Sequence, residues 1–539
     1  MLEQAAVREW TAILGSDHLI TEASRLQAAS TATFAIDRHV PAILRPADRE
    51  QVQRLLCIAS RFRIPVYPVS SGKNWGYGSG VPASDGCVLL DLSRMNRIVD
   101  FHEELGYVTL EPGVTQKQLI EFLRLRKSRL WMDGTGSSPE CSLIGNTLER
   151  GFGHTPYGDH FGNVCGFEVV LGNGEVLETG GARFPHSASA PVYRWGLGPS
   201  LDGLFAQSNL GVVTRMTFWL MPAPEYFQAF FFRCDREDAL PGIIDSLRRL
   251  RMGGTLRSAM HIANDYKVLG GLQQYPWKET NEATPLQPEQ MRAFRQRLNF
   301  GAWNGSGGLY GTRAQVAEAR RLLRRELSDK VNRLQFLDDR RLALASRFSG
   351  LFSLVSRWDL SRALELVRPV YGLMKGEPTS QPLASTYWRK RTRPPSTMDP
   401  DRDGCGLLWC APVAPAEGGH AKALATLASE ILLRHGFEPM LSITLITDRA
   451  LICVVSITYD RDTPGEDQRA LFCYDELQDQ LARKNYVPYR LGIQSMRQMD
   501  ARGSYGKFLG AIKSAADPAG ILSPGRYDST QGESAQTSE

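Results

Sequence analysis

The sequence contains no uninterrupted apolar run long enough to cross a bilayer and no block of like charge. A membrane span needs about 20 consecutive apolar residues, so no membrane association is predicted. The 63 Lys and Arg residues are nearly balanced by 58 Asp and Glu residues, and the net charge of +5 is slight for 539 residues. This balance gives no indication of a nucleic-acid partner.

The cysteines lack any pairing pattern. There are nine of them, an odd number, and no C-x-x-C pair occurs. Neither a disulfide framework nor a zinc site is therefore indicated. Residues 1–10 lack the basic start and apolar core of a secretory signal, and we expect a cytoplasmic protein with reduced thiols.

The composition is that of a globular protein, with 42% hydrophobic and 22% charged residues, and the length allows two or more domains. From residue 41 to 222, short strands and glycine turns alternate with helices, which indicates an α+β fold. After Pro222, the pattern predicts an antiparallel sheet covered by helices. The strands are expected at 227–232, 409–413, 441–447 and 450–459, the helices at 240–251, 313–328 and 417–435, and a long loop at 379–404.

The loop at residues 70–80 is the most informative segment. A β-rich run at 64–69 opens into a loop that carries Gly72, Gly76 and Gly80. Glycine allows close approach of the backbone to a ligand, and successive N–H groups can form a nest for an anion such as a pyrophosphate. The spacing matches neither the P-loop nor the Rossmann turn. A glycine-rich surface turn is the alternative interpretation.

Further blocks follow this loop in a fixed order along nearly the whole chain. They lie at 91–97, 106–115, 145–151, 155–160, 166–174, 203–214, 489–490 and 517–526. Together they resemble the vanillyl-alcohol oxidase and p-cresol methylhydroxylase flavoproteins. The resemblance implies an α+β, two-domain FAD-binding fold with an antiparallel-sheet cap domain. The FAD-binding domain would comprise 1–222 and a C-terminal return at 500–539, with the cap domain at 223–499 between them.

The resemblance also implies the cofactor-binding residues. Backbone amides of the glycine-rich loop would hold the FAD diphosphate, a second block would lie along the flavin, and Arg526 would lie near its pyrimidine ring. Two alternatives remain open: Glu149 and Arg150 form only an ion pair with each other, or Arg526 is a surface residue. The implied set is Ser70, Ser71, Gly72, Lys73, Asn74, Trp75, Gly76, Tyr77, Gly145, Asn146, Glu149, Arg150, Gly153, His154, Gly211, Val212 and Arg526.

The family's substrate site falls on Tyr77, Tyr489 and Arg490. In the resembled enzymes, two tyrosines and an arginine at these positions hold the substrate's phenolic oxygen as a phenolate. A phenol with a pKa near 10 needs donors and a positive charge to ionise at neutral pH. Trp409 and Ile452 fall at pocket positions. The alternatives are a Tyr-Arg pair without a ligand and a core tryptophan.

Several family features are absent around the flavin. The histidyl attachment position is Leu407, residues 400–406 contain no tyrosine, and residues 70–80 contain no histidine. We therefore expect non-covalent FAD, with a link to Cys405 as a remote alternative. In the resembled family, a carboxylate lies near flavin N5. The matching position here is Gly136 or Ser137, so this carboxylate is absent. His154 replaces a tyrosine, and its role as a base, a flavin contact or a packed core residue stays open.

The resemblance predicts an FAD-dependent oxidoreductase for 4-substituted phenols. It would oxidise the α-carbon by hydride transfer to flavin N5 through a p-quinone methide. The alternatives are oxidation of a non-phenolic alcohol or amine, and a non-catalytic flavoprotein partner. Electrons would pass to O2 or to a cytochrome on a separate chain, since this chain has no C-x-x-C-H haem motif. The resemblance also implies a homodimer or a larger assembly.

Overall fold

The structure is a computed structural model that describes residues 2–345, 347, 360–499 and 503–528. Its helices are α1 Gln4–Leu14, α2 Ala23–Ala29, α3 Arg49–Phe62, α4 Gln116–Leu125, α5 Leu143–Leu148, α6 Leu240–Met252, α7 Asp265–Leu272, α8 Pro288–Leu298, α9 Arg313–Leu327, α10 Leu360–Leu373, α11 Gly418–Arg434, α12 Glu466–Arg483 and α13 Gly503–Ala516.

The strands form three larger sheets and one short pair, so the predicted α+β class is confirmed. They are β1 Leu19–Ile20, β2 Ile43–Leu44, β3 Val66–Val69, β4 Val88–Asp91, β5 Ile98–His102, β6 Tyr107–Leu110, β7 Leu130–Trp131, β8 Val164–Val170, β9 Val176–Glu178, β10 Val212–Trp219, β11 Met221–Pro222, β12 Tyr226–Cys234, β13 Met260–Asn264, β14 Trp303–Gly311, β15 Arg333–Leu337, β16 Cys405–Cys410, β17 Val413–Pro415, β18 Met440–Leu445 and β19 Ala450–Asp460.

The N-terminal part contains two of the sheets, with strand orders β1-β2-β4-β3 and β5-β6-β10-β8-β9. Helix α3 begins directly after Asp48, whose side chain accepts a hydrogen bond from the Gln51 N–H at 2.8 Å. The end of the chain returns to this part: the Val66 N–H donates to the carbonyl of Ile521 at 2.8 Å. This pairing carries Arg526 close to the loop that follows β3. Residues 529–539, in the last predicted segment, lie outside the described residues.

The third sheet has the order β15-β12-β14-β13-β18-β19-β16, with β17 paired to β19, and its strand pairs are antiparallel. One face packs its apolar residues, such as Ile443 and Val455, against helices α6, α11 and α12. Because side chains alternate along a strand, Trp409 and His261 project from the other face. This second face meets the glycine-rich loop, since the Trp409 ring lies edge-on to Tyr77 at 5.7 Å.

The strand expected at 409–413 is wrong in its bounds. The chain instead forms β16, which ends at Cys410, and β17, which begins at Val413. Pro412 between them has no N–H to donate to a ladder, so the strand is interrupted there. The predicted loop at 379–404 contains a 3₁₀ helix, Gln381–Tyr387. In the described ranges, no helix is long and apolar enough to span a membrane.

Candidate active site

A cavity opens between the glycine-rich loop, α5 and the start of β10, and Trp409 and Arg490 also line it. The loop is braced from outside by a segment of the chain before β16. Lys73 pairs with Asp399 at 2.8 Å, and Asp401 accepts hydrogen bonds from Trp75 Nε1 and Ser79 Oγ at 3.0 and 2.7 Å. Burial raises the pKa of Asp401 to about 7.

The loop presents unused main-chain donors. Within the part of the chain that the structure describes, the N–H groups at 71–75 donate no hydrogen bond, whereas the next one, of Gly76, donates to Thr33 Oγ1 at 3.0 Å. Consecutive free N–H groups are typical of an anion-binding nest. The helix α5 approaches the loop closely: a Cβ on Gly145 would lie 2.5 Å from Ser70 Oγ. The close approach of two backbones around free donors fits a diphosphate.

Glu149 and Arg526 form the charged pair of this cavity. Arg526 Nη2 donates to Glu149 Oε1 at 2.6 Å, and Tyr527 Oη donates to the other carboxylate oxygen at 3.4 Å. Arg526 is 5% exposed, so it is not a surface arginine. Arg150 is exposed and is not the partner of Glu149. The expected alternative of a Glu149–Arg150 pair is therefore wrong.

Three buried donors on the cavity wall have no hydrogen-bond partner among the described residues. They are Trp409 Nε1, Arg490 Nε and Arg526 Nη1. Unpaired buried donors are rare in folded proteins because their desolvation is costly. Together with the loop N–H groups, they indicate that the cavity receives a polar ligand at several points along its length.

Most of the predicted cofactor residues line this cavity: Ser70, Ser71, Gly72, Lys73, Asn74, Trp75, Gly145, Asn146, Glu149, Gly211, Val212 and Arg526. Those that do not line it are Gly76, Tyr77, Arg150, Gly153 and His154. Gly76 has a positive φ of 76°, and a Cβ added to it would lie 3.1 Å from the Trp409 ring. Ser137 and Gly136 line the cavity without contributing a carboxylate.

Arg490 lines the cavity, and Tyr77 and Tyr489, which do not line it, pack against Arg490. The guanidinium carbon of Arg490 lies 3.8 Å from the ring centroid of Tyr77 and 5.3 Å from that of Tyr489. Gln207 fixes the strand-end position of Tyr489 by donating from Nε2 to its carbonyl at 2.8 Å. No carboxylate within the described residues pairs with Arg490, although Glu149 is close enough to act on its charge.

The two tyrosines stay protonated at neutral pH. Burial is the largest cause in both cases and raises the pKa of Tyr77 and of Tyr489 above the ordinary value of 10. Arg490 opposes this shift through its positive charge. An arginine keeps its proton at all ordinary pH values. Arg490 therefore supplies a permanent cation at the cavity wall, with two neutral tyrosines packed against it.

A stacked pair of histidines lies near Gly136. The rings of His154 and His261 are 4.2 Å apart, and His154 Cε1 would be 3.3 Å from a Cβ on Gly136. Burial lowers the pKa of both imidazoles, of His261 well below 6.5. Asp133 orients His154 by accepting its main-chain N–H at 3.1 Å. Both rings are neutral at pH 7 and can accept a proton.

The remaining predicted positions lie on the sheet face that carries Trp409. Ile452 is 3% exposed and pairs with Thr444, whose hydroxyl bonds His261 Nδ1 at 3.0 Å. Leu407 packs with Trp75 in a small apolar cluster beside the cavity. Cys405 is buried, does not line the cavity, and has a pKa that burial raises.

Sequence reasoning missed His261, Asp401 and Lys267. Each of them is important because of a neighbour that is distant in sequence. His261 stacks on His154, Asp401 bonds the loop at 70–80, and Lys267 contacts Ser385 and Ser456. No local pattern marks these residues. Gln207 and Asp133, in contrast, lie inside or beside blocks that the resemblance already singles out.

Comparisons with known proteins agree with this geometry. The FAD binding domain family matches residues 40–180. The chain is 44% identical to the 1'-carboxy-chondrochloren decarboxylase of Chondromyces crocatus over 97% of this chain and 96% of that protein. It is 32% identical to the 4-cresol dehydrogenase [hydroxylating] flavoprotein subunit of Pseudomonas putida, over 97% and 94%. Its fold matches the 4-ethylphenol oxidase of Gulosibacter chungangensis, solved with isoeugenol, with a TM-score of 0.88, 29% identity and coverage of 97% and 96%.

Proposed function

Because this chain belongs to the vanillyl-alcohol oxidase and p-cresol methylhydroxylase family of FAD-dependent oxidoreductases, we propose that it oxidises the α-carbon of a 4-substituted phenol. The observation that carries the proposal is the Arg490 guanidinium, which lies against the rings of Tyr77 and Tyr489 and pairs with no carboxylate of the described residues. Two neutral donors and a cation fit the oxygen of a phenolate. A non-phenolic alcohol or amine would leave this cation without a partner.

The roles of the three residues follow from their charges. Arg490 stabilises the negative charge of the bound phenolate, and Tyr77 and Tyr489 donate hydrogen bonds to its oxygen. An ionised phenol pushes electron density toward the para position, so that a hydride leaves the α-carbon and a p-quinone methide remains. Bound FAD supplies the hydride acceptor, at flavin N5. Trp409 confines the substituent on the side of the sheet.

The FAD in this proposal is bound without a covalent link. Leu407 occupies the family's histidyl position, and Cys405 is buried away from the cavity as a protonated thiol. We expect acid precipitation of the purified protein to leave all of the flavin in the supernatant. A yellow pellet, with a flavin peptide after proteolysis, would contradict this expectation and identify the attachment residue.

A second reaction outcome is favoured by two observations. Gly136 and Ser137 provide no carboxylate to activate water, and the relative at 44% identity is named a decarboxylase. In this candidate, the substituent carries a carboxylate on the carbon next to the α-carbon. After the hydride has left, the C–CO₂ bond breaks, its electron pair forms the new C=C bond, and the ring returns to a phenolate. CO₂ is released and no water is consumed.

The test is an anaerobic titration of the protein with 4-alkylphenols, 4-hydroxybenzyl alcohols and 3-(4-hydroxyphenyl)propionate, followed by flavin absorbance. We expect bleaching by at least one of these classes, with one two-electron reduction per flavin. Release of CO₂ with the propionate distinguishes the second outcome. Bleaching by a non-phenolic alcohol or amine, and by no phenol, would contradict the proposal. Readmission of air then shows whether O2 or a separate acceptor such as a cytochrome takes the electrons.

A further inference from the structure

Lys267 is a cation without a counter-ion beside the candidate substrate site. It lies in the first turn of α7, and its Nζ contacts Ser385 Oγ at 3.2 Å and Ser456 Oγ at 3.3 Å. Across the described ranges, no Asp or Glu oxygen lies within ion-pair distance of this Nζ, whereas buried lysines usually have such a partner. The ammonium has three donors, so at least one is left for another acceptor.

The neighbouring buried charges are all paired. Arg295 holds Asp265 at 2.7 Å, Arg389 holds Glu438 at 2.9 Å, and Lys390 lies 2.7 Å from Asp460. In each of these pairs, the positive charge is therefore balanced by a carboxylate of the protein. Lys267 differs from them, since its two partners are neutral hydroxyl groups.

The environment disfavours an isolated ammonium at this position. Desolvation lowers the pKa of Lys267 to about 8, so the group is still mostly protonated at pH 7. The position of Lys267 in the first turn of α7 adds to the free-energy cost of its positive charge, because the N-terminus of a helix is the positive end of the helix dipole. The same two features favour an anion next to Nζ. The residue as a whole is half-buried.

The two serines connect Lys267 to the walls of the candidate site. Ser456 lies directly opposite Trp409 in the β16–β19 register, and Trp409 lines the cavity and contacts the Tyr77 ring. Ser385 Oγ donates to the carbonyl of Pro382 at 3.0 Å. Pro382 in turn faces Gly136, where its Cγ would lie 3.5 Å from a Cβ. Lys267 thus contacts Ser456, the register neighbour of Trp409, and Ser385, which reaches the Gly136 wall through Pro382.

We propose that Lys267 binds a carboxylate at the far end of the para substituent of the phenolic substrate. This inference rests on the proposed function and narrows the substrate class to phenols with an anionic side chain. Arg490 and Lys267 would then hold the two ends of a dianionic substrate, with the α-carbon between them. Ser385 and Ser456 orient the ammonium, and neither of them supplies charge.

The test compares two matched ligands, 3-(4-hydroxyphenyl)propionate and its neutral amide. Dissociation constants come from the perturbation of the flavin spectrum or from the concentration dependence of anaerobic flavin reduction. We expect the wild-type holoenzyme to bind the acid about 10- to 100-fold more tightly than the amide, the ratio expected of one charge-assisted hydrogen bond. In Lys267→Met the ratio should fall to about 1, and Lys267→Arg should retain part of the preference. A series from 4-hydroxyphenylacetate to 4-(4-hydroxyphenyl)butyrate shows which side-chain length gives the tightest binding of the carboxylate.

The matched control is Lys422→Met, an exposed lysine of α11 on the opposite face of the sheet, which should keep the wild-type ratio. Equal affinity of the wild type for acid and amide overturns the inference, and so does a preference that survives in Lys267→Met. If Lys267→Met does not retain FAD, the inference is tested instead by the acid-to-amide affinity ratios of Lys267→Gln and of the wild type. Neutral phenols that bleach the flavin without any preference for the acid leave the proposed function intact. Failure of every phenol to bind or bleach rejects both.

Discussion

Replacement of Arg490 by alanine is expected to slow flavin reduction by a 4-alkylphenol about 10²- to 10³-fold per bound flavin, the usual effect of losing one donor that stabilises developing charge. The guanidinium lies 3.8 Å from the Tyr77 ring and pairs with no described carboxylate, so its charge is available to the phenolate. Without it, the substrate must bind as a neutral phenol. The measurement is stopped-flow reduction of the flavin under anaerobic conditions.

The pH dependence gives this variant a second, independent signature. A phenol ionises in solution with a pKa near 10, so the residual rate of Arg490→Ala should rise with pH toward that value. Arg490→Lys keeps the charge but loses the planar fork, and an intermediate rate is expected. Arg497→Ala is the control, because Arg497 is exposed and pairs with Asp475 at the surface. An Arg490→Ala enzyme that reduces as fast as wild type would refute the role of this residue.

Replacement of Arg526 by methionine is expected to weaken FAD binding by at least about 10²-fold. Loss of a hydrogen bond from a charged donor costs up to about 3 kcal/mol of binding free energy, and the charge of Glu149 is also left uncompensated. Arg526 is 5% exposed, its Nη2 holds Glu149 at 2.6 Å, and its Nη1 is one of the unpaired donors on the cavity wall. Titration of the apoprotein with FAD, followed by flavin fluorescence, gives the dissociation constant.

The double variant Glu149→Gln/Arg526→Met separates two explanations. If Arg526 acts only by neutralising Glu149, removal of both charges restores the affinity for FAD. We expect the affinity to stay low, because Arg526 lines the cavity and its Nη1 donor, which has no partner among the described residues, is also lost. Arg321→Met, which breaks an exposed pair with Glu318, should bind FAD like the wild type. Wild-type affinity in both the single and the double variant would show that Arg526 does not contribute to the cofactor site.

Much of the architecture could be predicted from local pattern. The bounds of α3 and α4 follow from Asp48 and Thr115, whose side chains cap the first free N–H groups of each helix. The long β19 follows from its run of apolar and β-branched residues. The split between β16 and β17 was missed, although Pro412 was a sufficient signal, because apolar residues on both sides of it suggested a single strand.

The candidate site was only partly predictable. Glycine spacing and block order were enough to point to the loop at 70–80 and to Arg490, but neither could pair Glu149 with Arg526, which lies 377 residues away. Lys267 has an ordinary local sequence, and its significance depends on its contacts with Ser385 and Ser456 and on the lack of a described carboxylate within ion-pair distance of its Nζ. The same holds for His261, which matters only because it stacks on His154. Contacts of this kind arise from the packing of segments that are distant in sequence.

The most direct test of the account is whether the holoenzyme binds a phenol in its ionised form at pH 7. The probe is 4-tert-butylphenol, whose α-carbon carries no hydrogen and cannot be oxidised. The account predicts that ultraviolet difference spectroscopy shows the phenolate band on binding to the wild type and loses it in Arg490→Ala. A bound phenol that stays neutral in the wild type would contradict the assignment of Tyr77, Tyr489 and Arg490, and with it the proposed reaction.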